Sequence, residues 1–300
     1  MSSLLMLFAC LVLGYLAARF CRLPDNMVDG LNWWVLRIAL PALVLELIPQ
    51  LHFDADLWFA AVAVWIGFCG AWLVFGTLGP RLGWPRGRVG ALIVVCGLGN
   101  TTFLGYPLVS ALRGKDALGV AVISDQFGSF PILVTLAVVV ASLYAGLKPH
   151  PLKIARRIFT FPAFVALLLG IVVNVAGGWP QIVHDALVPL AATLTPVALF
   201  SVGLRFKVNL GSRQMLGAAA MGWTWKLLAA PALAWLLADL AGVHGRIFHV
   251  GVLQAGMAPM VSATILATEY DLDPPLANSI LGIGIVLSLA TVPMWNLLMG

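Results

Sequence analysis

The stretch Gly99-Asn100-Thr101-Thr102-Phe103-Leu104-Gly105-Tyr106-Pro107 interrupts an apolar segment, residues 89–112, that is long enough to span a bilayer. Three adjacent polar side chains are followed there by Gly105 and Pro107. A helix interior disfavours Pro by about 3 kcal/mol and Gly by about 1 kcal/mol. Polar side chains in hydrocarbon add further cost unless they find partners. Non-helical backbone survives at membrane depth only inside protein or beside water, so this stretch predicts a cavity. A second such place lies in the other half: Gln254-Ala255-Gly256-Met257-Ala258-Pro259-Met260-Val261-Ser262. Two interrupted spans in corresponding halves point to the substrate site of a secondary transporter.

Composition agrees. Of 300 residues, 61% are hydrophobic and 10% charged, and the mean hydropathy is +1.01. A soluble domain carries about 25% charged residues. The chain reads as an all-α integral membrane protein. Its net charge of +5 would raise the question of nucleic acid in a soluble protein. Here the basic residues sit in short loops and read as topology signals, so no nucleic-acid partner is expected. Cys10, Cys21, Cys69 and Cys96 show neither CxxC spacing nor neighbouring histidines, so no metal or disulfide is expected. Residues 2–18 are apolar, but Arg19 and Arg22 follow them and no positive charge precedes them. That order is the reverse of a signal peptide and predicts a first spanning helix with its N-terminus outside.

At about 20 apolar residues per span, ten spans are expected: 3–18, 28–48, 57–79, 89–113, 117–146, 161–177, 183–204, 215–241, 247–269 and 275–298. The loops after spans one, three, five and seven hold Arg19, Arg22, Arg81, Arg86, Arg88, Lys148, Lys153, Arg156, Arg157, Arg205, Lys207 and Arg213. The other side holds Arg113, Lys115 and Arg246. This bias puts both termini on the outer side of a cell membrane. The halves also echo each other. Tyr106-Pro107-Leu108-Val109-Ser110-Ala111 reads like Ala258-Pro259-Met260-Val261-Ser262-Ala263, and Leu40-Pro41-Ala42-Leu43 like Thr195-Pro196-Val197-Ala198. The near-equal offsets predict two five-span repeats, residues 1–150 and 151–300, inverted in the membrane because each holds an odd number of spans.

Pro41-Ala42-Leu43, the Asn-x-x-Phe-Leu-Gly-x-Pro of Asn100 to Pro107 and the proline-broken ninth span at Pro259 resemble the auxin efflux carrier family of bacteria and plants. The likeness covers essentially the whole chain and is closest to compact bacterial members that carry malonate and related acids. It implies crossed broken helices four and nine. It also implies a scaffold of spans one, two, six and seven, through which the protein forms a homodimer in a bacterial inner membrane. Spans three to five and eight to ten would form a transport bundle. Sodium/proton antiporters share that architecture, so the fold alone does not choose the substrate or the ion.

Pro107 and Pro259 are expected in the first turn of each second half-helix, where a missing N–H is harmless. The half-helix N-termini would offer N–H groups to an anion, although the C-terminal ends of the first halves meet there with the opposite sign. Asn100, Thr101, Thr102, Tyr106, Gln254 and Ser262 are the candidate substrate-binding side chains at the breaks. Simple proline kinks, and hydroxyls bonded to their own helix, remain the plain alternative. Arg37, Asp125 with Gln126, and Lys226 lie well inside spans, where charge is rare and costs about 2.5–3.5 kcal/mol on insertion scales. Arg37 or Lys226 is the expected anion clamp. Asp125 with Gln126 and Lys226 are the expected coupling group for H+ or Na+, with a structural Asp–Lys pair as the competing reading. His249 also lies inside a span, shallower, in span nine, while Glu46, Asp239 and Glu269 fall near span ends and are given no role. No HExxH, Gly-x-Ser-x-Gly or phosphate loop is present, and no enzyme is expected. The expected function is secondary transport of a small organic anion, a mono- or dicarboxylate, by alternating access. The alternatives are a sodium/proton antiporter or sodium-coupled symporter of the same fold, and a membrane-embedded enzyme or sensor.

Overall fold

The computed structural model describes residues 2–51, 54–147, 160–205 and 213–300. The basic link 148–157 and Lys207 lie outside the described residues. In chain order the helices are α1 (Ser2–Phe20), α2 (Met27–Gln50), α3 (Ala55–Arg81), α4 (Arg86–Gly97), α5 (Tyr106–Arg113), α6 (Lys115–Tyr144), α7 (Pro162–Val175), α8 (Gln181–Leu204), α9 (Met215–Ala241), α10 (Gly245–Ala255), α11 (Val261–Glu269) and α12 (Pro274–Leu298). Among the described residues no strand forms; Gly99 and Pro259 make an isolated antiparallel bridge. α2, α3, α6, α8, α9 and α12 are long and apolar enough to cross a membrane by length and composition, and α7 is a shorter apolar helix. The expected spans four and nine are each divided, into α4 and α5 and into α10 and α11.

Prolines decide where the long helices deform. Four short segments are π-helical: Val35–Ala39 in α2, Thr101–Gly105 before α5, Ser124–Ser129 in α6 and Trp225–Ala229 in α9. Each is followed two residues later by a proline: Pro41, Pro107, Pro131 and Pro231. A proline offers no N–H, and its ring presses on the carbonyl four residues back. Widening the turn relieves that pressure. The N–H of the residue before the proline reaches back five residues, Leu40 to Val35, Phe130 to Asp125 and Ala230 to Trp225. The carbonyl four before the proline then needs another donor, and tryptophan supplies it. The Trp65 indole donates to Phe127 O, and that of Trp295 to Leu227 O, each at 2.9 Å. At the end of α2, Trp179 donates to Leu45 O, four before Pro49, again at 2.9 Å.

The chain divides into two compact units. The first holds Met1–Asp54, Thr102–Val122 and Arg156–Phe206. Within it α1 runs along α8, and α7 and α8 pack on α2. A Cβ on Gly14 would run into the carbonyl oxygen of Phe200, and one on Gly203 into that of Leu11. The two helices therefore touch backbone to backbone, as small residues permit in an apolar medium.

The second unit holds Ala55–Thr101, Ile123–Ala155 and Lys207–Gly300. There α3 packs on α4, α9, α10 and the π turn of α6. α4 is enclosed by α3, the end of α6, α9, α11 and α12, and Val89 to Gly97 are all buried. A helix apolar all round is expected to be buried in this way. The buried face of α3 sets Phe68 and Phe75 beside α4 and Phe59 against Gly251 of α10.

The tryptophan contacts are testable. Trp65→Phe keeps an aromatic ring but removes the indole donor to Phe127 O, which costs about 1–3 kcal/mol where no water can replace it. Thermal unfolding in detergent should show Trp65→Phe destabilised, while Trp58→Phe, at an exposed position, unfolds like the parent.

Candidate functional site

Within the second unit α4 stops at Gly97 and the chain leaves it extended at Leu98, while α10 stops at Ala255 and is left through a turn at Gly256 before the chain extends. The two extended segments pair antiparallel. Asn100 N–H donates to Ala258 O at 2.7 Å, and Met260 N–H donates to Leu98 O at 3.2 Å, with Gly99 and Pro259 facing each other between them. Each break thus satisfies backbone groups that the other leaves open, as membrane depth demands. Close approach requires small residues. A Cβ on Gly99 would lie 3.0 Å from Lys226 Nζ and 3.1 Å from Gln254 O, and one on Gly284 would lie 2.6 Å from the Pro259 ring.

The prolines do not occupy matching positions. Pro107 stands in the first turn of α5, as expected, but a π turn separates it from the break at residues 98–100. Pro259 is not in the first turn of α11; it lies in the extended segment, and α11 begins two residues later at Val261. The pairing explains the difference. Pro259 can join a bridge because it needs no N–H there, and the residue before a proline is pushed toward extended geometry. Ala258, that residue, accepts from Asn100.

Around the paired segments the polar side chains connect. Thr101 Oγ1 donates to Asp125 Oδ1 at 2.5 Å, and Gln126 Nε2 to Asp125 Oδ2 at 2.9 Å. Gln254 Nε2 reaches Thr101 O at 3.4 Å. Lys226 Nζ donates to Ala255 O at 2.9 Å, at the C-terminal end of α10. Asn100, Thr101, Asp125, Gln126, Lys226 and Gln254 are all buried, each at most 3% exposed. Ser262, second residue of α11, is half-buried. Asp125 and Lys226 do not form the ion pair considered from sequence: no described carboxylate lies within 4.0 Å of the ammonium.

Thr102, Tyr106, Pro107 and Arg37 belong to the first unit. Thr102, Tyr106 and Pro107 are buried there, and Arg37 is exposed in the π turn of α2. Arg37 and the hydrogen-bonded group around Asp125 are assigned to different units. Sequence reading missed Ser124 and Ser129, buried in the π turn of α6 beside Asp125. It also missed that Arg37, Thr101, Asp125, Gln126 and Lys226 all lie in π turns. The signal was present: a proline follows each within four to six residues.

An apolar all-helical chain with two mutually paired helix breaks and a buried polar group around them is the construction of a multi-pass membrane transporter. The chain belongs to the membrane transport protein family, the auxin efflux carrier family, whose model matches residues 1–296. It is 26% identical to an uncharacterized transporter of Methanothermobacter thermautotrophicus, over 99% of this chain and 97% of that one. It is 24% identical to auxin efflux carrier component 8 of Arabidopsis thaliana, over 97% and 94% of the two chains. It is 27% identical to the "Putative malonate transporter" of Rhizobium meliloti, over 95% and 91%.

The link between Thr101 and Asp125 predicts energetic coupling. Thr101→Val keeps the shape and removes the hydroxyl donor to a carboxylate, a bond of about 1.5–3 kcal/mol. In a double-mutant cycle by thermal unfolding, Thr101→Val and Asp125→Asn should be strongly non-additive. Additive effects would show that the two side chains act independently.

Proposed function

We propose that this protein is a secondary active transporter that moves a small organic anion, a mono- or dicarboxylate such as malonate or an auxin-like acid, by alternating access. The observation that carries the reading is the pairing of residues 98–100 with 258–260, surrounded by buried Asn100, Thr101, Asp125, Gln126, Lys226 and Gln254. Family membership and relatives named as auxin efflux carriers and a malonate transporter support the class. In this reading the chain spans a bacterial inner membrane ten times, in two inverted five-helix repeats, with both termini outside. The ten spans are the six long helices, α1, α7 and the two divided spans α4–α5 and α10–α11. A homodimer through spans one, two, six and seven completes the arrangement, with lipid around it.

The roles follow from chemistry. The first N–H groups of α11, at Val261, Ser262 and Ala263, have no carbonyl a turn back in their own helix and suit an anion. Asn100 and Gln254 carry amides that donate to a carboxylate. Asp125, buried between Thr101 and Gln126, is the group that exchanges a proton or holds Na+ as the site alternates. The same placement favours a second reading, a sodium/proton antiporter that uses Asp125 and moves no organic substrate.

Flux in proteoliposomes separates the two. Labelled malonate, malate or indole-3-acetate should accumulate under an imposed pH or sodium gradient. Dissipation of the ion gradient with no organic flux would establish the antiporter instead. Asn100→Ala and Gln254→Ala should each abolish substrate-induced thermal stabilisation while the folded protein persists; parent-like binding in both would move the site elsewhere. Asp125→Asn should retain counterflow exchange and lose accumulation driven by ΔpH. Arg37→Gln should weaken an anionic ligand more than its neutral isostere if Arg37 is the clamp, and both equally if it is structural.

A further inference from the structure

Two helices end at the paired segment with the same polarity. α4 and α10 both direct their C-termini into it. A helix C-terminus carries about half a negative elementary charge on its last carbonyls. With both ends buried in protein, their shared polarity favours a counter-charge. The last carbonyls of α10 are partly used within the chain: Val252 O accepts Gly256 N–H at 3.1 Å and Gln254 O accepts Met257 N–H at 3.4 Å. Ala255 O is taken by Lys226 Nζ at 2.9 Å. On the same turn, Gln254 Oε1 is a buried acceptor with no partner among the described residues.

Lys226 has the chemistry for this place. It is 1% exposed and has three N–H donors. Its Nζ also lies beside Gly99, two residues beyond the end of α4. No described carboxylate neutralises it, and Asp125, the buried carboxylate of the same unit, is held by Thr101 and Gln126. A buried ammonium without a counter-carboxylate is costly. Here the carbonyl ends of two helices supply the negative potential that an acidic residue would otherwise provide.

We propose that the C-terminal ends of α4 and α10, with the Gln254 side-chain oxygen, form a seat for a small monovalent cation, and that Lys226 fills it as a tethered ammonium. The seat is built from neutral oxygen acceptors and dipoles, which suit an alkali or ammonium ion. Lys226 is then a positioning residue. It cancels the negative helix ends and leaves the N–H end of α11 as the dominant field for an anion. That last step rests on the transport reading; the cation seat does not.

The test is thermal unfolding of Lys226→Ala and Lys226→Met in detergent. Choline chloride is replaced stepwise by sodium chloride or methylammonium chloride at constant total salt. The parent should unfold at one temperature in all three salts. Lys226→Ala, which opens room for an ion, should unfold lower in choline. It should recover saturably with methylammonium or sodium and gain nothing from tetramethylammonium. Lys226→Met fills the space without charge, so it should unfold lower than the parent in every salt and show no recovery. The proposal is overturned if Lys226→Ala ignores the cation, if the parent responds to it equally, or if Lys226→Met is as stable as the parent. Should Lys226→Ala aggregate in every salt, Lys226→Met alone decides: a lowered midpoint supports the seat, and an unchanged or raised one removes it. Malonate added to the parent is a separate arm. Its failure to shift the parent would count against malonate as substrate and leave the cation response untouched.

Discussion

Every backbone N–H and C=O at membrane depth needs a partner from the protein itself, and the prolines of this chain repeatedly take one away. Pro131 and Pro231 each force a wide turn, and an indole N–H meets each carbonyl they release, from Trp65 and Trp295. At the end of α2 Pro49 lies in a 3-10 turn, where the Trp179 indole meets the Leu45 carbonyl four residues before it and the Asn174 amide adds bonds to the Ile48, Pro49 and Leu51 carbonyls. An unmet buried carbonyl costs about 1–3 kcal/mol. Several such groups would consume much of a stability of about 5–15 kcal/mol. The paired breaks obey the same rule, because residues 98–100 and 258–260 supply each other's missing bonds.

Satisfying the backbone in this way fixes where charge can be buried. Asp125 lies in the turn that Pro131 widens, and Lys226 in the turn that Pro231 widens. Neither is paired with the other. Asp125 is held by neutral donors, Thr101 and Gln126, and Lys226 by the Ala255 carbonyl. Hydrogen bonds and helix dipoles therefore carry the stabilisation that an ion pair would otherwise supply. An Asp–Lys pair would lock both charges together. Here the carboxylate is bonded by Thr101 and Gln126 and the ammonium by a carbonyl, in separate places within the unit.

Much of this was legible in the sequence, and the reason is local chemistry. Three polar side chains before Gly105 and Pro107 marked the first break to within a few residues, because such a run is costly inside an apolar span unless it finds partners. Asn100, Thr101, Gln126, Asp125, Lys226 and Gln254 were identified by polarity at depth alone. The placement of Pro259 was not legible: whether a proline opens a helix or lies in the extended break depends on a partner strand about 160 residues away (here Gly99, bridged to it). The indole donors were equally hidden. Trp65 and Trp295 look like interfacial or core aromatics until the carbonyl they meet is known, and that carbonyl is distant in sequence.

The π turns tie these observations together. One residue added to a turn rotates the helix beyond it by about 100°, since a helix advances 3.6 residues per turn. In the π turn of α6, Asp125 and Gln126 are buried while Phe127 is exposed at 41%, and burial resumes at Gly128, Ser129 and Phe130. A straight helix could not present Asp125 to Thr101 and also keep the apolar residues after Pro131 against the core with the same register. The proline therefore sets the phase at which the carboxylate faces Thr101. Trp65 secures that phase by binding the Phe127 carbonyl released in the same turn. The aiming of the charged side chain and the satisfaction of the backbone are one structural event.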